Sequence, residues 1–284
     1  MIRRMLRLAS LVLVTVALTV GCSPAVATLP TEVTVSVFQN RFDYSLRQLE
    51  LKVSNGTDAP LTVTRAALDS SRFATPAVWD RPQVVPAGAA RDLRVQLTEP
   101  VCGEPVEDSV VLEFTLHDGR TGTATLVPSD ETRRLDAINA EDCLGEAVAA
   151  IATIAAADAV EWMPGARAPA TLDLIVTPTG APGTLTVNFA KGTVLLSLVD
   201  ATGVEVYDLP VDELFDSGSG PGVIRLSIIP ARCDPHAVAE DKRGTFFPLE
   251  VETSLGAAGR IYVPVSDEVR SSLYEFFGDY CGLP

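Results

Sequence analysis

The chain carries one segment order twice, and each copy closes on a cysteine. Leu-Glu-Leu-Lys-Val at 49–53 matches Leu-Asp-Leu-Ile-Val at 172–176, and Leu-Thr-Val at 61–63 recurs at 185–187. Leu93-Arg94-Val95-Gln96-Leu97 before Cys102 corresponds to Ile224-Arg225-Leu226-Ser227-Ile228 before Cys233. Leu112-Glu113-Phe114 corresponds to Leu249-Glu250-Val251. Val127-Pro128-Ser129-Asp130-Glu131 corresponds to Val263-Pro264 followed by Ser266-Asp267-Glu268, and the copies end on Cys143 and Cys281. Such self-similarity means one structural plan used twice. It predicts two domains, 32–146 and 147–284, as suits a chain of 284 residues.

Inside each copy the apolar residues alternate with polar ones, which is the period of a half-buried strand. Val33–Val37, Gln48–Val53, Leu61–Thr64, Asp92–Leu97, Val110–Leu116 and Thr123–Val127 read as strands in copy one. Thr171–Val176, Thr184–Phe189, Val194–Val199, Val204–Tyr207, Val223–Ile229, Phe246–Glu252 and Arg260–Val263 read so in copy two. His117-Asp118-Gly119-Arg120 carries an Asp-Gly pair suited to a hairpin turn. Six or seven short strands per copy predict an all-β chain of two sandwiches. Each copy then ends in a short helix, capped by Ser129 or Ser266. Leu135 and Ile138, or Leu273, Phe276 and Phe277, form its apolar face. Ala147 to Val160 is ambiguous between helix and strand; its end is taken as the opening strand of domain two. That leaves a linker of a few residues at Leu144-Gly145-Glu146 and a rigid tandem.

Of the five cysteines, Cys22 stands apart and four remain. Four allow three pairings. Equivalent positions in the repeat select Cys102 with Cys143 and Cys233 with Cys281, one bridge per copy. The chain-entropy relation assigns such loops roughly 4 kcal/mol each. A Cys-x-x-Cys redox pair is absent, so the role is structural.

Residues 1–21 have the form of an export signal. Arg3, Arg4 and Arg7 precede the apolar run Leu8 to Val20, which falls short of the ~20 residues a spanning helix needs. The run ends in Leu18-Thr19-Val20-Gly21-Cys22, which resembles a bacterial lipobox with its Leu one place early. The resemblance implies cleavage before Cys22, acylation of its thiol, and a tether over 22–31. The body would then sit at the extracytoplasmic face of the cell membrane, held by the lipid. The two copies resemble the immunoglobulin-like sandwich domains of exported bacterial lipoproteins, of the actinobacterial type. The antibody arrangement of a Trp between two Cys is missing, because Trp79 and Trp162 precede the first Cys of their copies. Both Trp are expected in the core or at the domain contact.

A net charge of -15 argues against a nucleic-acid partner, and 47% hydrophobic content argues against disorder. Leu214-Phe215-Asp216-Ser217-Gly218-Ser219 resembles the Asp-Ser-Gly signature of aspartic proteases, but Val85 to Ala89 of copy one lacks the second Asp that a shared-proton pair needs. Its small residues read as a turn. Asn55-Gly56-Thr57 likewise reads as a turn before it reads as a glycosylation site. The only other His beside His236 is His117 in the other copy, and the Cys are bridged, so no metal or other cofactor is expected. The clearest departure between copies is the loop after Cys233. From Cys233 to Leu249 it is six residues longer than from Cys102 to Leu112. It gathers Asp234, His236, Glu240, Asp241, Lys242 and Arg243, a composition that suits a binding rim. The expectation is a noncatalytic binding or interaction module at the cell envelope, with an envelope protein or cell-wall component as partner. The alternative is a hydrolase or small-ligand carrier whose site lies at the domain junction.

Overall fold

The computed structural model describes residues 26–40, 42–44, 46–103, 107–239 and 245–283. Copy one contributes β1 (Val33–Phe38), β2 (Gln48–Asn55), β3 (Leu61–Ser70), β4 (Ala77–Trp79), β5 (Gln83–Val85), β6 (Ala89–Gln96), β7 (Asp108–Leu116) and β8 (Thr121–Leu126). One sheet runs β1-β2-β6 and the other β4-β3-β7-β8, with β5 also on β3. The inward residues keep the period of two: Val33, Val35 and Val37 on β1, Leu49, Leu51 and Val53 on β2, and Val110, Leu112 and Phe114 on β7 are all buried. After the helix α1 (Arg134–Ile151), copy two contributes β9 (Ala152–Glu161), β10 (Ala170–Pro178), β11 (Thr184–Lys191), β12 (Leu196–Val199), β13 (Glu205–Val206), β14 (Asp208–Asp216), β15 (Gly222–Pro230), α2 (Pro235–Ala239), β16 (Phe246–Thr253), β17 (Ala258–Pro264) and α3 (Asp267–Cys281).

The sheets of copy two run β13-β12-β15-β10-β9 and β14-β11-β16-β17. Thus β1, β2 and β6 correspond to β9, β10 and β15, and β3, β7 and β8 to β11, β16 and β17. The first four matched segments fall on equivalent strands, and the last, 127–131 with 263–268, falls at the passage from the final strand to the helix. All named pairings are antiparallel; copy one crosses between sheets after β2, β5 and β6, and copy two after β10, β11, β13, β14 and β15. The chain is therefore two tandem immunoglobulin-like sandwiches. β14 has no counterpart among the expected strands. Its Pro210 and four acids hide an edge strand that carries a bulge near Asp212.

Both bridges join the cysteines expected, Cys102 to Cys143 and Cys233 to Cys281, with Cα atoms 5.8 and 5.3 Å apart. Cys281 ends α3, whereas Cys143 lies in the middle of α1. The helix of copy one is not short, and residues 144–146 are not a linker: α1 continues to Ile151 and β9 begins at Ala152. Leu135 and Ile138 enter the first core, and Leu144, Val148 and Ile151 enter the second. At 3.6 residues per turn these two sets lie on opposite faces of the helix. One helix is thus a shared part of both cores.

The caps also differ from expectation at one end. Ser266 caps α3 by accepting from the Val269 N–H at 3.2 Å. Ser129 instead exchanges backbone bonds with β1, from its own N–H to Val35 O and from Val37 N–H to its O, both 2.9 Å. Asp130 takes the capping role for α1, receiving the Arg134 and Leu135 N–H groups at 2.7 and 2.8 Å. Asn55 is buried, its amide bonded to Ala59, Val85 and Pro86 carbonyls, so its side chain is a loop staple. Of the region taken as a tether, Ala27 is already docked: its N–H reaches Thr121 O at 2.8 Å, and its carbonyl closes the space beside Gly122.

Gly145 sits inside α1 with nothing near the place a Cβ would occupy. Gly145→Ala should raise stability by roughly 0.5–1 kcal/mol. Gly145→Pro should cost ~3 kcal/mol or more by removing a helical bond at the junction. Calorimetry should then show two separated transitions in place of coupled unfolding. A single unchanged transition would mean that α1 does not couple the cores.

Candidate functional site

The sandwiches meet at a cleft of about 300 Å³, lined on one side by Tyr44, Glu141, Asp142 and Gly145 and on the other by Phe246, Arg260, Ile261, Tyr262 and Pro264. Tyr44 comes from the loop between β1 and β2. That loop is stapled from below: Asp43 and Glu50 are both buried, and Arg94 reaches them at 3.1 and 2.7 Å. The Asn40 N–H donates to Asp43 Oδ2 at 2.9 Å, and the Gln48 N–H to the Asp43 carbonyl at 3.0 Å. Arg134 then stacks 4.6 Å over the Tyr44 ring while its Nε donates to Gln39 Oε1 at 2.7 Å. The loop bonds and the Arg134 guanidinium thus fix the aromatic ring before any ligand arrives.

The opposite wall is the outer face of a sheet. Phe247, Leu249 and Val251 point into the core, so Phe246 and Glu250 point out. Arg260 and Tyr262 alternate with buried Val263 in the same way on β17. A chain of ion pairs crosses the four strands: Asp208 to Lys191 at 2.6 Å, Lys191 to Glu250 at 3.9 Å, and Glu250 to Arg260 at 2.6 Å. A second hollow, about 190 Å³, continues the cleft past Phe246, Arg260 and Tyr262 to Val194 and Tyr207. Phe42, Phe189 and Tyr207 are the aromatic side chains most open to solvent among the described residues. Tyr207 lines the cleft's extension, Phe189 stands beside Lys191 in the ion-pair row, and Phe42 is on the Tyr44 loop. Aromatic rings beside Arg on a rigid surface are the composition of a recognition site.

On the helix wall, burial pushes the Asp142 carboxyl above its ordinary range; Arg47 at 2.9 Å opposes that, and Glu141, Glu146 and Glu99 reinforce it. A carboxyl raised on folding binds its proton more tightly in the folded state. Stability from this group is therefore gained as pH falls through the raised value and lost as pH rises through it. Asp142→Asn should raise the melting temperature at neutral pH, and the gain should shrink as pH falls toward the unfolded carboxyl range. An equal gain at every pH would overturn this assignment of Asp142.

The sequence-derived candidates fall elsewhere. Asp234 and His236 lie at α2, where the His236 N–H donates to Asp234 Oδ1 at 3.0 Å and His236 is exposed. Glu240, Asp241, Lys242 and Arg243 are outside the described residues, as is Cys22. The loop leaves from the end of β15 and returns at β16, where Phe246 pairs with Pro264. That is the end of the second sandwich turned toward Tyr44. Asp216 closes its own turn, accepting from the Gly218 N–H at 2.8 Å and the Ser219 hydroxyl at 3.1 Å. Those bonds, the backbone one foremost, hold its carboxyl below the usual range, as suits a turn and not a proton-sharing pair. Trp162 packs 6.1 Å from Phe276 on the second core, and Trp79 donates to the Arg81 carbonyl at 2.6 Å. Among the described residues no three His, Cys, Asp or Glu are grouped to hold a metal ion, and no helix is long and apolar enough to cross a membrane. The cleft residues escaped sequence reading, although Phe246 and Tyr262 left a signal. Each is an aromatic at an outward position of a strand, where a polar residue is the rule.

No family model matches the chain, and no curated protein does. Among solved structures, a transglutaminase of red sea bream is 12% identical over 84% of this chain, with a TM-score of 0.25. This chain spans 32% of that protein. The B domain of a biofilm-associated protein is 10% identical, covering 84% of this chain and 86% of its own, with a TM-score of 0.23. CBD12 from CALX1.2 is 11% identical, covering 78% and 94%, with a TM-score of 0.21. Likenesses at these scores carry no argument about function; the fold rests on the strand order and pairing above.

Proposed function

We propose that the protein is an exported lipoprotein, acylated at Cys22 and held at the extracytoplasmic face of the membrane, that acts as a noncatalytic interaction module. Its partner is an envelope protein or a cell-wall component, engaged at the aromatic cleft between the sandwiches. The observation that carries this is α1. Because one helix is built into both cores, the walls of the cleft are fixed relative to each other before binding, which spares the ordering cost of association. The charged groups of the cleft are spent on one another, Arg260 on Glu250 and Arg47 on Asp142, as suits recognition more than proton transfer. Asp234 and His236, between β15 and β16, are a second contact in this reading.

The test places a photocrosslinking residue at Tyr262, at His236, or at Val223 on the outer face of the other sheet, in intact cells. The expected outcome is one defined adduct from position 262, a weaker one from 236 and none from 223. Adduct from 223 equal to that from 262 would overturn the cleft as the site. The cleft volume favours a second reading, a small-ligand carrier, because it reaches the lower end of the range for ligand pockets. Native mass spectrometry showing a stoichiometric small molecule, lost in Tyr262→Ala, would establish that reading instead.

A further inference from the structure

We infer that the pole of the first sandwich formed by residues 30–32, 56–60 and 117–120 faces the lipid headgroups, and that the second sandwich projects away from the bilayer. The inference rests on the lipid anchor at Cys22 proposed above. Its physical basis is how Ala27 and the residues after it are fixed on the first sandwich. Ala27 is buried, its N–H is bonded to Thr121 O at 2.8 Å, and its carbonyl lies where any Cβ on residue 122 would go. Leu29 packs on the first core, and the Val33 N–H closes a turn on Pro30 O at 3.1 Å. Only five residues of sequence separate Cys22 from Ala27. Five extended residues reach at most ~17 Å.

Thr121 opens β8 beside the exposed turn 117–120, and Gly56 N–H donates to Glu32 O at 3.0 Å, so all these residues share one pole. From that pole β8 runs away toward α1, whose 18 residues add ~27 Å. At the far end of α1, Ile151 O accepts from the Thr179 N–H at 2.9 Å, and Ser254 N–H donates to Thr184 O at 2.9 Å. Thr184 is also paired with Asp216. The turns after β10, β14 and β16 thus lie together at the end of the second sandwich that α1 reaches last. The membrane-side pole is not basic: Arg120 is held by Asp118 at 2.8 Å, and Glu32 and Asp58 stand nearby. Attraction to anionic lipid does not hold it down; the short leash does. From Cys22 onward, without Arg3, Arg4 and Arg7, the formal charge is -18, and it lifts the long body from an anionic surface.

The test couples the chain from Cys22 onward, through that thiol, to maleimide-bearing lipid in phosphatidylcholine–phosphatidylglycerol vesicles. A donor dye is attached through an azide-bearing residue at position 58 or position 255, with an acceptor dye on the headgroups. Energy transfer should be roughly twofold or more higher from position 58, given the length of strand and helix between the two. Equal transfer, or more from position 255, would overturn the proposed polarity. A flexible spacer of about 15 residues inserted before Ala27 should abolish the difference by lengthening the leash. A difference that survives the spacer would overturn the leash as its cause. The coupling is chemical, so failure here leaves acylation untouched; the mass of the mature amino terminus in cells decides that separately.

Discussion

Replacing Cys102 and Cys143 together by Ser lowers stability by roughly 4 kcal/mol in the chain-entropy relation, and by 2–5 kcal/mol in its observed range. The bridge spans 41 residues of sequence, and its loss frees a loop that includes β7 and β8. The Cys233–Cys281 bridge spans 48, so the entropic loss there is nearly the same. The consequences nevertheless differ in place. Cys143 lies in the middle of α1, upstream of Leu144, Val148 and Ile151 in the second core, whereas Cys281 only ties the end of α3. Loss of the first bridge should lower the melting of both sandwiches, and loss of the second should lower its own. Urea unfolding followed by domain-specific proteolysis reads this directly. Equal, purely local losses would show that α1 does not transmit between the cores.

Arg72→Met should destabilise the first sandwich by about 3–5 kcal/mol, the range for removing one partner of a buried ion pair. Arg72 is 6% exposed in the turn after β3, and its guanidinium bonds Asp108 of β7 and Asp136 of α1. Without it Asp108 stays partly buried with its charge unanswered. Burial alone would lower the Arg72 pKa, but the two carboxylates outweigh it and the charge is secure. In return the Arg72 hydrogen bond, followed by Arg133, holds the Asp136 carboxyl below its usual range. A carboxyl depressed on folding adds stability above its unfolded value and loses it as pH falls through the folded one. The gap between wild type and Arg72→Met should therefore narrow below about pH 4, the unfolded carboxyl range. A gap that stays constant into acid would mean that packing of the Arg stem, not its charge, is what the variant loses.

Arg72 also shows how much could be read in advance. The strands around it were legible, because a half-buried strand repeats its apolar residues every second position. The cysteine pairing was legible because the chain states its plan twice. The length of α1 was not. Leu135 and Ile138 face one core and Leu144, Val148 and Ile151 face the other, so no single apolar stripe runs along the helix. Its alanines suit a helix by propensity, but Ala147 to Val160 also contains all but the last residue of the following strand. Ser129 and Ser266 both precede two acids, the local pattern of a cap, and only Ser266 caps. Which residue caps depended on β1, whose Val35 and Val37 engage the Ser129 backbone and hand the role to Asp130.

What the sequence determined by itself was whatever depends on neighbours along the chain: strand period, turn chemistry, the repeat, and through the repeat the two bridges. The tertiary structure alone decided that α1 belongs to both cores, and that Tyr44, Asp142, Phe246, Arg260 and Tyr262 share one cleft. Those residues are separated by up to 218 positions and obey no common spacing. Their meeting follows from a helix that turns a different face to each sandwich, and that relation exists only once both cores have formed.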